Sequence, residues 1–405
     1  MPNRDTGRSL LRSLNSGAVL RTVIEHGPIS RAGIARHTNL TNVTVGAIAS
    51  EMLEQDLISE TGQTDSTAGR PGRLLELNAG AYVAVGAKLS DRQLTCELTD
   101  LRANVLAEAT MALEHPTPED FITALGQLVG ELLATTSTGR DRLLGIGVGL
   151  PGVIDRETGT ARYSPFLRWA EVPVADLAEA ALGLPIFIEN DVNTLALTER
   201  WFGRGHGVQD FLLVTLGQGI GMGIVLSGEL HSGASGGVGE FGHMVVSDST
   251  QECECGNIGC LEAIASEGSL LRQSAILTEA SGASPAVGMD DLYRFAATDP
   301  DHKILLMTAG ESIGRGIANV INVLSPELVL VRGLGNFESS PLATGIDQAV
   351  QAHTFPGLAG STELIFEKLD DGPWARGAAS LVLSELFMSP VAVANFRDPL
   401  RSRSR

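Results

Sequence analysis

His243, Cys253, Cys255 and Cys260 form the pattern His-x9-Cys-x-Cys-x4-Cys, and no other stretch constrains this chain as tightly. The segment GEFGHMVVSDSTQECECGNIGCLE gathers three of the protein's four cysteines into eight residues behind one histidine. One imidazole and three thiolates complete a tetrahedral shell, with the ligand count and softness of a closed structural zinc site. Disulfides are the competing reading. Cysteines this close seldom pair with each other in a chain whose start lacks a secretory signal, and Cys96 lies far away in a hydrophobic strand pattern. Glu240 precedes the histidine and Glu262 follows the last cysteine. A metal here would fix both carboxylates in space, as a structural element serving a binding site.

Composition bounds the remainder. A chain of 405 residues with 43% hydrophobic content spans two or three domains with a full core. The start, MPNRDTGRSLLRSLNSG, carries charges and no apolar signal-peptide core, so a cytoplasmic protein with reduced thiols is expected. The longest uncharged run, Phe211 to Gly228, contains five glycines and reads as a tight hairpin rather than a bilayer span, so no membrane partner is expected. The net charge of −19 is unevenly placed: residues 1–78 hold eight arginines and eight acids, and the rest holds 21 basic against 40 acidic residues. An acidic body repels nucleic acid, whereas the neutral first module can approach it.

That first module reads as three helices and a hairpin. Val19, Leu20, Val23 and Ile24 set a helix over about Gly17 to His26, which Gly27-Pro28 ends. Ser30 caps a short helix over Arg31 to His37, and Thr38-Asn39-Leu40 makes a turn of helix-turn-helix length. Thr41 caps a third helix that buries Val45, Ile48, Ala49, Met52 and Leu53 and exposes Asn42, Val43, Gly46, Ala47 and Ser50. Strand patterns over Leu57 to Glu60 and Leu74 to Leu77 flank GQTDSTAGRPGR, which makes the module a winged helix with an arginine-tipped wing. A small helical dimerisation domain is the plainer alternative. For DNA, Asn42 is the best base reader, with Thr41, Thr44 and Ser50 beside it; Arg31, Arg36, Arg70 and Arg73 supply the attraction to phosphates.

From Tyr82 onward, strands alternate with amphipathic helices, and the pattern occurs twice. Tyr82 to Leu89 and Arg92 to Asp100 form one strand pair, followed by a helix over Phe121 to Leu133 and a strand over Leu143 to Val148. Phe211 to Leu216 and Gly221 to Leu226 form another, followed by a helix over Ile304 to Leu324 and a strand over Leu328 to Val331. Two similar α/β halves imply a ligand cleft between them. The domains expected are a winged helix-turn-helix over 1–78, an effector-binding body over 79–395 and a disordered basic tail over 396–405.

The order of motifs points to a family. GIGVGLPGVID (Gly145 to Asp155), IENDVNTLALTE (Ile188 to Glu199), LGQGIGMGIVLSGELHSGASGGVGEFGH (Leu216 to His243), CECGNIGCLE (Cys253 to Glu262) and ANVINVLSPELVLVRGLG (Ala318 to Gly335) resemble the ROK family of repressors, open reading frames and sugar kinases. With the N-terminal module, the resemblance to ROK transcriptional repressors covers nearly the whole chain. It implies a duplicated actin-like ATPase fold of two lobes, a sugar or sugar-phosphate effector, one zinc per subunit and a homodimer or homotetramer. By position, Asn190 and Asp191 match the pair that binds sugar hydroxyls, Asp191 being the general base of family kinases. An Asn-Asp pair opening a helix is also an ordinary cap. Glu240, His243 and Glu262 match the family's contacts to the anomeric side of the sugar.

The chain departs from the kinases in both phosphate loops. Family kinases carry an acidic DxGxT-like turn after the first strand; here GAKLSDRQL places Lys88 and Ser90 where its Asp and first Gly would fall. Gln218 stands at the phosphate-binding threonine position, and Phe166 where a sugar-contacting Asn is expected. Phosphoryl transfer depends on positioned cations and backbone donors, so sugar binding is expected to outlast catalysis. The reading is a sugar-responsive DNA-binding repressor of carbohydrate uptake or catabolism genes, acting on an inverted-repeat operator, and not an enzyme. The alternative is an ATP-dependent sugar kinase with a fused helix-turn-helix; a regulator working through a protein partner is a third class.

Overall fold

Among the described residues, those up to Leu77 build three helices around a small sheet. Residues 4–63, 72–90, 92–246, 249–281, 284–358, 360–369 and 373–388 are described, in a computed structural model of the chain. Helix α1 (Arg4–His26) leads through β1 (Ile29–Ser30) into α2 (Arg31–Thr38), whose first turn is capped by the Ser30 hydroxyl accepting from the Gly33 N–H. Asn39, in the left-handed region at φ 56°, ends α2. Thr41 caps α3 (Asn42–Glu54) by accepting from the Thr44 N–H. Strands β2 (Ile58–Gln63) and β3 (Arg73–Leu77) form the hairpin, in sheet order β1-β3-β2. This is the winged helix that the spacing predicts. Val19, Leu20, Val23, Ile34, Val45, Ile48, Ala49, Met52, Leu75 and Leu77 are each at most 5% exposed and form its core. Helix α1 starts well before Gly17. Its early residues include Leu11 and Leu14, which remain 61% and 53% exposed, so no buried stripe marks that part of the helix in the sequence. Arg70 and the wing tip lie outside the described residues, as does the tail over 396–405.

The body contains two five-stranded sheets of matching connectivity. In the first, β4 (Val83–Leu89), β5 (Gln93–Thr99) and β6 (Val105–Ala112) form a meander. Helix α4 (Pro118–Thr135), opened by a Thr117–Asp120 capping box, returns the chain to β7 (Leu143–Leu150). A side sheet of β8 (Val153–Asp155), β9 (Thr160–Ser164) and β10 (Trp169–Val172) and helix α5 (Val174–Leu182) then lead to β11 (Ile186–Asn190). The order is β11-β7-β4-β5-β6, with β11, β7 and β4 parallel. Helix α6 (Asp191–Phe202) follows.

The second sheet uses β12 (Phe211–Leu216), β13 (Ile220–Leu226) and β14 (Glu229–Leu230). Helices α7 (Leu261–Ala265), α8 (Glu267–Ser281), α9 (Met289–Ala296) and α10 (Pro300–Leu324) precede β15 (Leu328–Gly333). Helix α11 (Pro341–His353) and β16 (Glu363–Lys368) complete it, in order β14-β13-β12-β15-β16. Numbered within each sheet, both run third, second, first, fourth, fifth, so the twofold repeat seen in the sequence is a repeat of topology. Helix α12 (Pro373–Met388) rejoins the first unit. The chain thus divides into two compact units, one up to Thr198 plus Trp374 onward, the other Glu199–Pro373. Among the described residues no helix is long and apolar enough to cross a membrane.

One acid sits badly in the first sheet. Glu97 is 2% exposed, faces Glu108 across the β5–β6 register, and has one carboxylate oxygen without a partner among the described residues. Burial, reinforced by the Glu108 charge, pushes its carboxyl up to about 7. The folded state therefore favours the protonated acid. That contribution is complete below the ordinary carboxylate range and is lost as pH rises towards 7. Glu97→Gln should be more stable than wild type by about 1–3 kcal/mol at pH 8, with the gap shrinking towards pH 5, measured by denaturant unfolding at both values.

Candidate functional site

The cysteine-rich segment of the second unit folds into a knuckle. The His243 turn and Cys260 are joined by a bridge between Val245 and Cys260, and Glu252 pairs with Ile258. Cys253 accepts from the Gly256 N–H and donates its own N–H to Asn257, with Gly256 at φ +89°, a left-handed turn that suits glycine. The four predicted ligands converge: one ligand atom from each of His243, Cys253, Cys255 and Cys260 lies within 4.8 Å of the others. His243 Nδ1 is 3.5 Å from Cys253 Sγ, and Cys255 Sγ is 3.7 Å from Cys260 Sγ. Zinc–sulfur bonds of roughly 2.3 Å place tetrahedral corners roughly 3.8 Å apart, so this donor set fits such an ion. All four cysteines are free thiols, and the disulfide alternative falls.

The same segment holds the two flanking acids. Glu240 Oε2 lies 3.7 Å from His243 Nε2, the ring nitrogen opposite the one that faces the thiols. A carboxylate in that place holds a ligating imidazole in orientation. Burial raises the Glu240 carboxyl, His243 opposes this, and the Glu262 charge adds to the rise. Glu262 is in the first turn of α7, directly after Cys260, and accepts from the Ile220 N–H at 2.9 Å. A metal on Cys260 would therefore anchor α7 and, through Glu262, the glycine turn before β13.

In the first unit, β4, β7 and β11 end side by side in a register that aligns Lys88, Gly149 and Glu189. The carboxyl ends of parallel strands are where open α/β sheets bind ligands. Asn190 caps α6: its Oδ1 accepts from the Val192 and Asn193 N–H groups, and its Nδ2 donates to the Gly152 carbonyl. A second N–H of the amide remains for a ligand. Asp191 opens α6 and pairs with Lys88, whose Nζ also lies 4.7 Å from the centroid of the Trp374 ring. Burial pulls the Lys88 ammonium down to about 7; the neighbouring carboxylate opposes that loss of charge. Ser90 turns its hydroxyl into its own loop, accepting from the Arg92 and Gln93 N–H groups. In the other loop Gln218 is exposed, and the Gly217 N–H donates to the Gly219 carbonyl.

The DNA-facing candidates separate into committed and uncommitted groups. Thr41 and Thr44 hydroxyls bond each other at 2.9 Å, and the Ser50 hydroxyl donates to the Gly46 carbonyl. Arg31 and Arg73 both pair with Glu60 on β2, which lowers the Glu60 carboxyl, chiefly through Arg73. Asn42 and Arg36 are exposed. The Glu60 clamp was missed in the sequence, because nothing in the spacing of Glu60 and the two arginines shows that they meet across a hairpin.

Two further groups emerge from the fold. Glu189 is fully buried; its Oε1 accepts from the Asn190 N–H and Asn193 Nδ2, while Oε2 has no partner among the described residues. An acid at an inward position of an apolar strand was its signal. Ser274, His302 and Asp299 stand in the order of a hydrolytic triad, with His302 Nε2 3.1 Å from Ser274 Oγ and Nδ1 against Asp299. Ser274 is fully buried, so these residues tie α8 to the start of α10.

A winged helix followed by a twofold-repeated α/β body, with a His/Cys3 cluster in its second half, defines a regulator class built on a sugar-kinase fold. The ROK family model matches residues 85–385, and the chain belongs to the ROK family. It is 30% identical to a putative xylose repressor of Caldicellulosiruptor sp. (strain Rt8B.4), over 94% of this chain and 98% of that one. It is 29% identical to the DNA-binding transcriptional dual regulator NagC of Escherichia coli (strain K12), over 92% and 93%. Among solved structures, a ROK family transcriptional regulator described as a homolog of the E. coli MLC protein superposes with TM-score 0.83 at 28% identity, covering 93% and 97%. A ROK family glucokinase from Streptomyces griseus, in complex with glucose and AMPPNP, gives TM-score 0.63 at 26% identity, covering 74% and 98%.

The cluster should carry one metal ion per chain. Cys253→Ser should lower the metal content of the purified protein, by elemental analysis, and its thermal stability with it; wild-type protein without metal would contradict this.

Proposed function

We propose that this chain is a sugar-responsive DNA-binding repressor of carbohydrate genes, cytoplasmic, with a sugar-kinase fold that senses and does not phosphorylate. One observation carries the loss of catalysis: Lys88, at the position where kinases of the family carry an aspartate, sits on Asp191, the residue matching their general base. A base paired with an internal ammonium is poorly placed to take a proton from a sugar hydroxyl, and the missing carboxylate leaves magnesium without a ligand. The hydroxyl-binding capacity of Asp191 and Asn190 survives this.

The effector is a sugar or sugar phosphate, with Asn190, Asp191, Glu240, His243 and Glu262 as its contacts. The names of the relatives make xylose and N-acetylglucosamine the first ligands to test. Zinc suits the thiolate-rich donor set better than a harder cation. His243 and the cysteines hold it, and its role is to fix Glu240, His243 and Glu262. The chain acts as a homodimer or homotetramer on an inverted repeat, with one α3 in each half-site major groove.

Two assays test this reading together. Incubation with magnesium, ATP and a panel of hexoses, pentoses and N-acetylated sugars should give no sugar phosphate above background; turnover that Asp191→Ala abolishes would establish the kinase instead. Selected duplexes should bind with steep salt dependence, carried by arginines such as Arg31, Arg36, Arg70 and Arg73.

A further inference from the structure

The outward face of α3 is poor in polar readers. Its hydroxyls are tied to the helix itself, Thr41 to Thr44 and Ser50 to the Gly46 carbonyl. Two nearby arginines, Arg31 and Arg73, are held by Glu60. What remains in the first turn is the exposed pair Asn42 and Val43. Val43 is 83% exposed, whereas Val45, Ile48, Ala49 and Met52 of the same helix are at most 5% exposed and Leu53 is half-buried. The two following positions on its face are Gly46 and Ala47, and a Cβ built on Gly46 would meet nothing within 4 Å. Val43 is therefore a single apolar ridge on an otherwise smooth surface. A smooth surface lets a helix sit deep in a major groove.

The geometry points to Val43 as a specificity-determining residue that reads the 5-methyl group of a thymine, beside an Asn42 that reads the neighbouring adenine. The inference rests on the DNA-binding reading above. In the major groove, thymine differs from cytosine by its methyl group and its O4 acceptor, and an apolar side chain distinguishes the methyl. The amide of an asparagine matches adenine N6 and N7 in the same groove. N-terminal residues of a recognition helix are the ones that reach base edges. Adjacent positions with these two chemistries call for A·T pairs at the centre of each half-site.

The test uses the full-length protein and a pool of randomised duplexes. In the enriched duplex, each thymine is replaced in turn by deoxyuridine, which removes the methyl and leaves every hydrogen-bonding group. One thymine per half-site should respond, with affinity falling about fourfold for one apolar carbon lost from the interface. In Val43→Ala, which is exposed and leaves the core intact, that position should no longer distinguish thymine from deoxyuridine. A wild-type protein indifferent to every such replacement, or a methyl effect undiminished in Val43→Ala, overturns the inference while leaving DNA binding standing. A pool with no enriched duplex overturns the DNA-binding reading and this inference with it.

Discussion

The approach of α12 to the first sheet is the constraint on which the first unit depends. It passes so near the parallel strands β4 and β7 that a Cβ on Gly86 would stand 1.8 Å from the Ala375 carbonyl oxygen, and one on Gly147 1.8 Å from that of Ala378. No side chain fits at either position, and any residue but glycine would lift the helix off the sheet. Held there, α12 carries Trp374 at its start over Lys88. Its last residue, Met388, meets α1 of the winged helix, where a Cβ on Gly17 would be 2.4 Å from the Met388 carbonyl oxygen and Arg21 reaches the Met388 sulfur at 3.0 Å. One rigid element thus touches both the Lys88–Asp191 pair and the DNA-binding module.

In the proposed reading, that pair is what turns a kinase fold into a sensor with few changes. Lys88 costs the fold a buried ammonium, and Asp191 offsets the cost by standing at contact distance at the positive end of α6. A sugar hydroxyl that bonds Asp191 competes with Lys88 for the same carboxylate. Ligand binding in this reading rearranges an ion pair at one end of α12, and an equilibrium shifts only to the extent that sugar binds the two arrangements unequally.

Much of this was legible in the sequence because it follows local chemistry. Helix periodicity, caps at Ser30 and Thr41 and the glycine-rich hairpin before Ile220 placed the elements they mark, the start of α1 apart, to within a few residues. The metal ligands were legible because thiols cluster for few other reasons. What stayed hidden depends on long-range pairing: the Lys88–Asp191 contact spans 103 positions, and the Glu60 clamp joins residues across a hairpin. The early turns of α1 were hidden for a different reason, since Leu11 and Leu14 stay more than half exposed. Asn190 shows the converse: position assigns it to the sugar, and the fold also spends its carbonyl on capping α6.

The most direct measurement is operator affinity at fixed salt across a panel of pentoses, hexoses, N-acetylated sugars and their phosphates, in wild type and in Asp191→Ala. The account predicts that one sugar lowers the affinity of the wild type and leaves the variant unchanged. A response that persists undiminished in Asp191→Ala would contradict it, and would place the effector site elsewhere in the chain.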